Sequence, residues 1–243
     1  MTTSAAGPQR LYLMQVATLG TGPVKVPAVC YLVQTGDGSN ILIDSGLPAN
    51  FQPSPNMSGL QVELGSNVIE QLAQIGVQPA DIDILICTHY DLDHAGNHGA
   101  FPNAQLVAQR QHYEVARDGH QRFAPARSQW DQPASRYRLL DGDTELLPGL
   151  ELVETSGHVP GHQSVLVRLP HTGPVLLTID AVAVQNSFIP DRQAGPRDAD
   201  GAGAIASTRK LLDLAEREHV SLVIFGHDGE QWSTLKKLPD YYD

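Results

Sequence analysis

The stretch at residues 88–96 places four metal-ligand side chains within six residues, directly after a short apolar run. The four are His89, Asp91, Asp93 and His94. The run at residues 82–87 predicts a buried strand. Imidazole and carboxylate groups are ligands that zinc, iron and manganese accept. The stretch therefore predicts a metal site at the end of a strand, in a fold that can bring further ligands to it.

Three further residues of ligand type follow strand-like segments much later in the chain. They are His158, Asp180 and His227. The runs before the last two, residues 175–179 and 222–226, are apolar and typical of buried strands. We expect these residues to lie with the first four at one sheet edge.

This order of ligands resembles the metallo-β-lactamase superfamily, whose loop has the pattern His-x-His-x-Asp-His and is followed by a later His, Asp and His. The resemblance covers nearly the whole chain. Residues 41–48 (ILIDSGLP), 161–164 (GHQS) and 225–228 (FGHD) are similar to the N-acyl-homoserine lactonase branch. Asp91 departs from the pattern, because it stands at the position of the second histidine.

The resemblance implies two divalent metal ions, with zinc expected and iron or manganese as alternatives. The implied ligands of the first ion are His89, Asp91 and His158. Those of the second are Asp93, His94 and His227. Asp180 would bridge the two ions, and Asp44 would support the loop by hydrogen bonds without binding metal.

The implied activity is hydrolysis of a small lactone or ester, such as a quorum-quenching N-acyl-homoserine lactonase performs. A hydroxide between the ions would attack the carbonyl carbon, and Asp93 would carry a proton to the leaving alkoxide. Thioester hydrolysis of the glyoxalase II kind, β-lactam hydrolysis and phosphotriester hydrolysis remain alternatives with the same metal core. A flavodiiron-like oxidase and a degenerate member that only binds a ligand are further alternatives.

Two positions set this chain apart from the lactonase branch. Ala183 stands where a tyrosine commonly contacts the substrate oxygen, and Tyr90, Tyr113 or Tyr137 could substitute for it. Asp91 adds a negative charge in place of a neutral imidazole. The resulting centre is expected to be a weaker Lewis acid and to accept harder ions more readily.

Composition limits the partners. The formal net charge is −11, from 27 acidic and 16 basic residues, which opposes binding to nucleic acid. No apolar run approaches the ~20 residues of a membrane span, and the first ten residues lack the apolar core of a signal peptide. Cys30 and Cys87 lie in strand-like runs and are expected to be buried thiols. We expect a cytoplasmic enzyme, a monomer or homodimer, with a small-molecule substrate.

Apolar runs predict strands at residues 11–18, 28–34, 40–44, 81–87, 104–108, 151–155, 164–169, 175–179 and 220–225. Ser66 and Ser207 are the predicted caps of two helices, and a shorter helix is expected at residues 111–118. Residues 49–65 and 181–203 are expected to be irregular. Residues 119–137 are expected to form a loop, either solvated or in contact with substrate or another subunit. Strands followed by a helix, twice over, indicate an α/β fold: one αββα sandwich over residues 1–243, with two mixed β-sheets flanked by helices.

The remaining histidines are not expected to bind metal. His162 is expected to hydrogen-bond near the site, and His98 to support the loop or to be exposed. Four others are predicted to lie at the surface. They are His112, His120, His171 and His219.

Overall fold

The computed structural model of the protein describes residues 7–21, 24–48, 50–52 and 59–243, and these contain two mixed β-sheets. The strands of the larger sheet are β1 (Pro8–Thr21), β2 (Val24–Thr35), β3 (Asn40–Ile43), β4 (Leu60–Leu64), β5 (Ile84–Ile86), β6 (Gln105–Gln109) and β7 (Tyr137–Leu140). Their order is β4-β1-β2-β3-β5-β6-β7. Neighbours from β4 to β3 are antiparallel, and those from β3 to β7 are parallel.

The strands of the smaller sheet are β8 (Thr144–Leu147), β9 (Leu150–Glu154), β10 (Gln163–Leu169), β11 (Gly173–Ile179) and β12 (Leu222–Phe225). Their order is β12-β11-β10-β9-β8, and the pair β11–β12 is parallel. The helices are α1 (Val68–Gln74), α2 (Leu92–Ala95), α3 (Arg110–Arg117), α4 (Arg127–Trp130), α5 (Gly201–Arg217) and α6 (Gly229–Thr234).

Alternation of side chains along the strands produces four layers. In β1, Leu11 enters the buried cluster between the sheets, whereas its neighbour Tyr12 enters the cluster on the outer face. Val165 of β10 reaches the same inner cluster from the other sheet. Leu72 of α1 covers the outer face of the larger sheet, and Leu211 of α5 covers the smaller one. The predicted αββα sandwich is confirmed.

Both predicted helix caps were wrong. Helix α1 is capped by Asn67, whose side chain accepts from the backbone of Glu70 while the Glu70 carboxylate accepts from the Asn67 N–H. Helix α5 begins much earlier than expected and is capped by Asp200. Ser207 lies inside that helix and donates to the carbonyl of Ser156. Asn and Asp cap as well as Ser, so residue type alone did not select the right position.

Several segments differ from the sequence prediction. Strand β4 lies within the stretch 49–65 that was expected to be irregular; residues 49 and 53–58 of that stretch fall outside the described residues. Residues 119–137 form helix α4 and short 3-10 turns, and Phe123 and Trp130 there are fully buried. Strands β7 and β8 and helices α2 and α6 were not expected. Among the described helices, none has both the length and the apolar character that crossing a membrane requires.

Candidate metal centre

The seven predicted ligands lie at one edge of the sandwich, where strands of both sheets end. They are His89, Asp91, Asp93, His94, His158, Asp180 and His227. Strand β5 leads into the loop at residues 88–96, and the turn between β9 and β10 carries His158. Strand β11 ends directly before Asp180, and β12 ends shortly before His227. The topology therefore collects residues that are far apart in the chain.

All seven side chains are buried, and their donor atoms form overlapping groups in which every atom lies within 4.8 Å of the others. The groups are His89, Asp91 and His158; His89, His94 and Asp180; and Asp93, His94 and His227. The structure thus brings together every predicted ligand.

Asp180 faces two sets of histidines with its two oxygen atoms. Its Oδ1 lies 3.3 Å from Nε2 of His94 and 3.2 Å from Nε2 of His227. Its Oδ2 lies 3.3 Å from Nε2 of His158 and 4.0 Å from Nε2 of His89. One carboxylate therefore lies between the two halves of the cluster, the half with His94 and His227 and the half with His89 and His158, as a bridging ligand must.

The donor atoms fit a divalent metal. Five of them are buried without a hydrogen-bond partner in the part of the chain that the structure describes: Nε2 of His89, His94 and His227, Oδ2 of Asp93 and Oδ1 of Asp180. Leaving one such atom unpaired costs about 1–3 kcal/mol, so several at one point require a compensating partner. Imidazole and carboxylate donors that converge in this way are ligands for divalent ions.

The pKa values in the cluster follow from burial and opposite charge. Burial alone would raise the pKa of Asp180, but His227, His94 and His158 hold it well below its usual range. Burial lowers the pKa of His89, which favours the neutral imidazole. An ionised carboxylate and a neutral imidazole are the forms that bind metal.

Asp44 supports the centre from behind without joining any of the ligand groups. Its carboxylate accepts from the backbone N–H and the hydroxyl of Thr88, at 2.9 and 2.6 Å, and lies 2.8 Å from Nδ1 of His94. Nδ1 of His227 lies 2.8 Å from the carbonyl of Pro27. A proton on each Nδ1 directs the Nε2 lone pair into the cluster. Ile179, directly before Asp180, has a φ of 52°, a strained value for a β-branched residue.

His162 and His98 are buried beside the centre and bind other groups. Nδ1 of His162 lies 2.8 Å from the Thr155 hydroxyl, and its Nε2 accepts from the backbone N–H of Asp180 at 3.3 Å. His98 lies 2.7 Å from the Ser45 hydroxyl. His162 therefore hydrogen-bonds near the site, as predicted.

The prediction that His112 lies at the surface was wrong. The side chain is fully buried between the two ligand loops. Its Nε2 accepts from the backbone N–H of Tyr90 at 2.9 Å, and its Nδ1 donates to the carbonyl of Pro160 at 2.7 Å. Burial lowers its pKa to about 3, so the ring is neutral and joins the loop of His89 to the turn of His158. No local pattern around residue 112 indicates this role.

Arg122 is a site residue that the sequence placed only within the loop expected at residues 119–137. Its Nε lies 2.7 Å from Oδ1 of Asp91, and its Nη2 lies 2.6 Å from Oδ2. Nη2 also lies 2.7 Å from Nε2 of His158. Burial alone would raise the pKa of Asp91, but the adjacent His158 and His89 rings and the Arg122 guanidinium hold it well below its usual range.

A cavity of about 570 Å³ opens beside the cluster. Asp91, Asp93 and Arg122 form its polar end, and its other wall is largely apolar. The apolar lining includes Leu19, Val26, Leu47, Phe51, Leu60 and Val62.

The three tyrosines considered as substitutes at position 183 do not line this cavity. Tyr90 stacks on Trp130, with ring centroids 5.1 Å apart, and Tyr113 packs against Tyr137 at 4.7 Å. Arg122 is instead the hydrogen-bond donor that borders both the cavity and the cluster.

A sandwich of two mixed sheets with a buried His and Asp cluster at its edge defines a protein that binds divalent metal ions. The family model described as the metallo-beta-lactamase superfamily matches residues 24–227. The chain belongs to this superfamily.

Relatives of known activity support the resemblance to lactonases. An N-acyl homoserine lactonase of Bacillus sp. is 33% identical over 225 residues, covering 89% of this chain and 87% of that protein. The N-acyl homoserine lactonase AttM of Azorhizobium caulinodans is 39% identical, covering 72% and 69%. A crystal structure of B. thuringiensis AiiA with N-decanoyl-L-homoserine at the active site has a TM-score of 0.85 and 27% identity, covering 97% of this chain and 100% of that one. The structure of an N-acyl homoserine lactone hydrolase with N-hexanoyl-L-homoserine at its catalytic metal centre has the same TM-score, identity and coverage.

Proposed function

We propose that this protein is a metal-dependent hydrolase that opens the ring of N-acyl-homoserine lactones or related small lactones. The observation that carries the proposal is the cluster of seven buried ligand side chains around Asp180, in a chain 33% identical to a lactonase. The cavity beside the cluster suits such a substrate, because it combines one polar end with an apolar wall that an acyl chain can contact.

The proposed centre holds two ions, with zinc expected and iron or manganese as alternatives. His89, Asp91 and His158 would bind the first, and Asp93, His94 and His227 the second. Asp180 would bridge them, because its two oxygens face separate pairs of histidines. When bound, divalent ions polarise the substrate carbonyl and bring the pKa of a coordinated water close to 7.

Asp93 is the proposed proton carrier. Its Oδ2 is buried, has no hydrogen-bond partner among the described residues and lies 3.7 Å from Nε2 of His227. The residue also lines the cavity. A carboxylate there can take the proton of the attacking water and return it to the alkoxide that leaves the opened ring.

A substrate panel tests the proposal. Metal-loaded protein should hydrolyse short- and long-chain N-acyl-homoserine lactones, releasing one proton per turnover. Thioesters, β-lactams and phosphotriesters should react more slowly. The His227→Ala variant should be inactive, whereas His219→Ala, at an exposed position, should match the wild type. Activity on one of the other classes but on no lactone would reassign the substrate.

Three further features remain predictions. We propose one hydrolase domain over residues 1–243, and a monomer or homodimer. A cytoplasmic location is supported by the free, buried thiols of Cys30 and Cys87.

A further inference from the structure

The guanidinium of Arg122 lies between two of the proposed ligands of the first ion. Nη2 reaches Oδ2 of Asp91 and Nε2 of His158 at the same time, at 2.6 and 2.7 Å. Arginine has no acceptor, so His158 must receive this hydrogen bond with its Nε2 lone pair. That is the lone pair a metal ion would need.

The ligands of the second ion have no such competitor among the described residues. Oδ2 of Asp93 and Nε2 of His94 and of His227 are buried and unpartnered. The two halves of the cluster therefore differ within the described ranges: in the first, Arg122 is bonded to Asp91 and His158 and only Nε2 of His89 is unpartnered, whereas in the second these three atoms all lack a partner.

Arg122 is held in place by the surrounding chain. Its Nη1 donates to the carbonyl of Arg197 at 2.9 Å and to the carbonyl of His158 at 3.3 Å. These bonds connect the turn at residues 121–126 to the segment that closes one side of the cavity. Its side chain is 24% exposed, so a path to solvent is open if these bonds break.

The pairing also gives a reason for the aspartate at position 91. A carboxylate can accept two parallel hydrogen bonds from a guanidinium, as Asp91 does here, whereas a neutral imidazole has one acceptor nitrogen. Asp91 and Arg122 thus act as a matched pair.

We propose that Arg122 makes the two metal positions unequal: the position of Asp93, His94 and His227 fills first, and the position of Asp91 and His158 fills only when Arg122 leaves it. The inference rests on the ligand sets of the proposed function and assigns them an order of loading. A guanidinium and a divalent cation repel each other at these distances, so a metal at the first position must displace Arg122. In the form with one ion, the Arg122 charge stays at the polar end of the cavity.

Zinc titration of metal-free protein tests the order without reference to activity. The wild type, titrated against a chromophoric chelator, should bind one equivalent tightly and a second at least about tenfold more weakly. Arg122→Met keeps an unbranched, flexible side chain that is shorter and uncharged, and should strengthen only the binding of the second equivalent, by about tenfold or more. Arg197→Met is the matched control, because Arg197 lines the same cavity but contacts Arg122 only through its backbone carbonyl. It should leave both affinities unchanged.

The outcomes separate the inference from the proposed function. Two equally tight equivalents in the wild type would overturn the inference and leave the two-metal hydrolase intact; this result needs no variant to fold. An Arg122→Met protein that melts like the wild type but binds the second equivalent no better would overturn it as well. If no protein binds zinc, iron or manganese, the proposed centre itself fails, and the inference with it.

Discussion

Replacing Asp44 with Asn tests how far the hydrogen bonds behind the centre control metal affinity. Three donors converge on this carboxylate: the Thr88 backbone N–H on Oδ1, and the Thr88 hydroxyl and His94 Nδ1 on Oδ2. Asparagine has the same shape but only one acceptor oxygen. Whichever way its amide turns, the NH₂ group must face at least one of these donors. The φ of 58° at this position is one that Asn tolerates, so the backbone need not change.

The magnitude follows from burial, since Asp44, Thr88 and His94 are all at most 2% exposed. One buried donor without an acceptor costs about 1–3 kcal/mol of folding free energy. Loss of a partner that orients a metal-binding histidine weakens metal affinity by about 10–100-fold, or about 1.4–2.7 kcal/mol. We expect Asp44→Asn to lower both the folding free energy and the metal affinity by these amounts.

Chelator competition measures the affinity, and chemical denaturation of the metal-free protein measures the stability. Asp141→Asn is the matched control, because Asp141 is 69% exposed and pairs with Arg110 at the surface. It should resemble the wild type in both assays. An Asp44→Asn protein with wild-type affinity and stability would refute the supporting role given to Asp44.

Three further predictions concern buried residues that are not themselves proposed ligands. The pKa of His112 is lowered to about 3, so below pH 6.5 its imidazole binds a proton in the unfolded chain but stays neutral in the folded one. This residue should therefore reduce the free energy of unfolding by about 1.4 kcal/mol per pH unit as the pH falls below 6.5. Between pH 6 and 4, the free energy of unfolding of His112→Gln should depend less steeply on pH than that of the wild type. Burial raises the pKa of the Cys30 and Cys87 thiols, so neither should react with a thiol reagent until the protein unfolds. Gly161→Ala should lower the melting temperature, because φ is 67° and a Cβ would lie 2.5 Å from the backbone nitrogen of His112; Gly119→Ala, also at positive φ but in open space, should cost less.

The sequence predicted which His and Asp side chains lie together because local order carries most of that information. Four of them lie within six residues after one strand, and Asp180 and His227 each follow a recognisable apolar run. The strand pattern also predicted the two sheets, since buried strands are apolar whatever their partners.

The groups that modify the ligands could not be predicted in the same way. Arg122 is 31 residues from Asp91, and His112 is 22 residues from Tyr90, so each contact exists only once the sheets have formed. Position in the fold decides whether a histidine lies at the surface like His171 or between two loops like His112. The predicted first residues of the two helices were wrong for a related reason, because several neighbouring polar residues were suitable caps.

The position of the new oxygen atom in the product tests directly whether activated water attacks the carbonyl carbon of the lactone. Metal-loaded protein would be mixed with an N-acyl-homoserine lactone in heavy-oxygen water, and the opened product examined by mass spectrometry. Attack of activated water on the carbonyl carbon predicts the label in the new carboxylate, and none in the hydroxyl group, at a rate that disappears when the metal is removed. Label in the hydroxyl group, or no opening of the ring above the rate in buffer, would contradict the account.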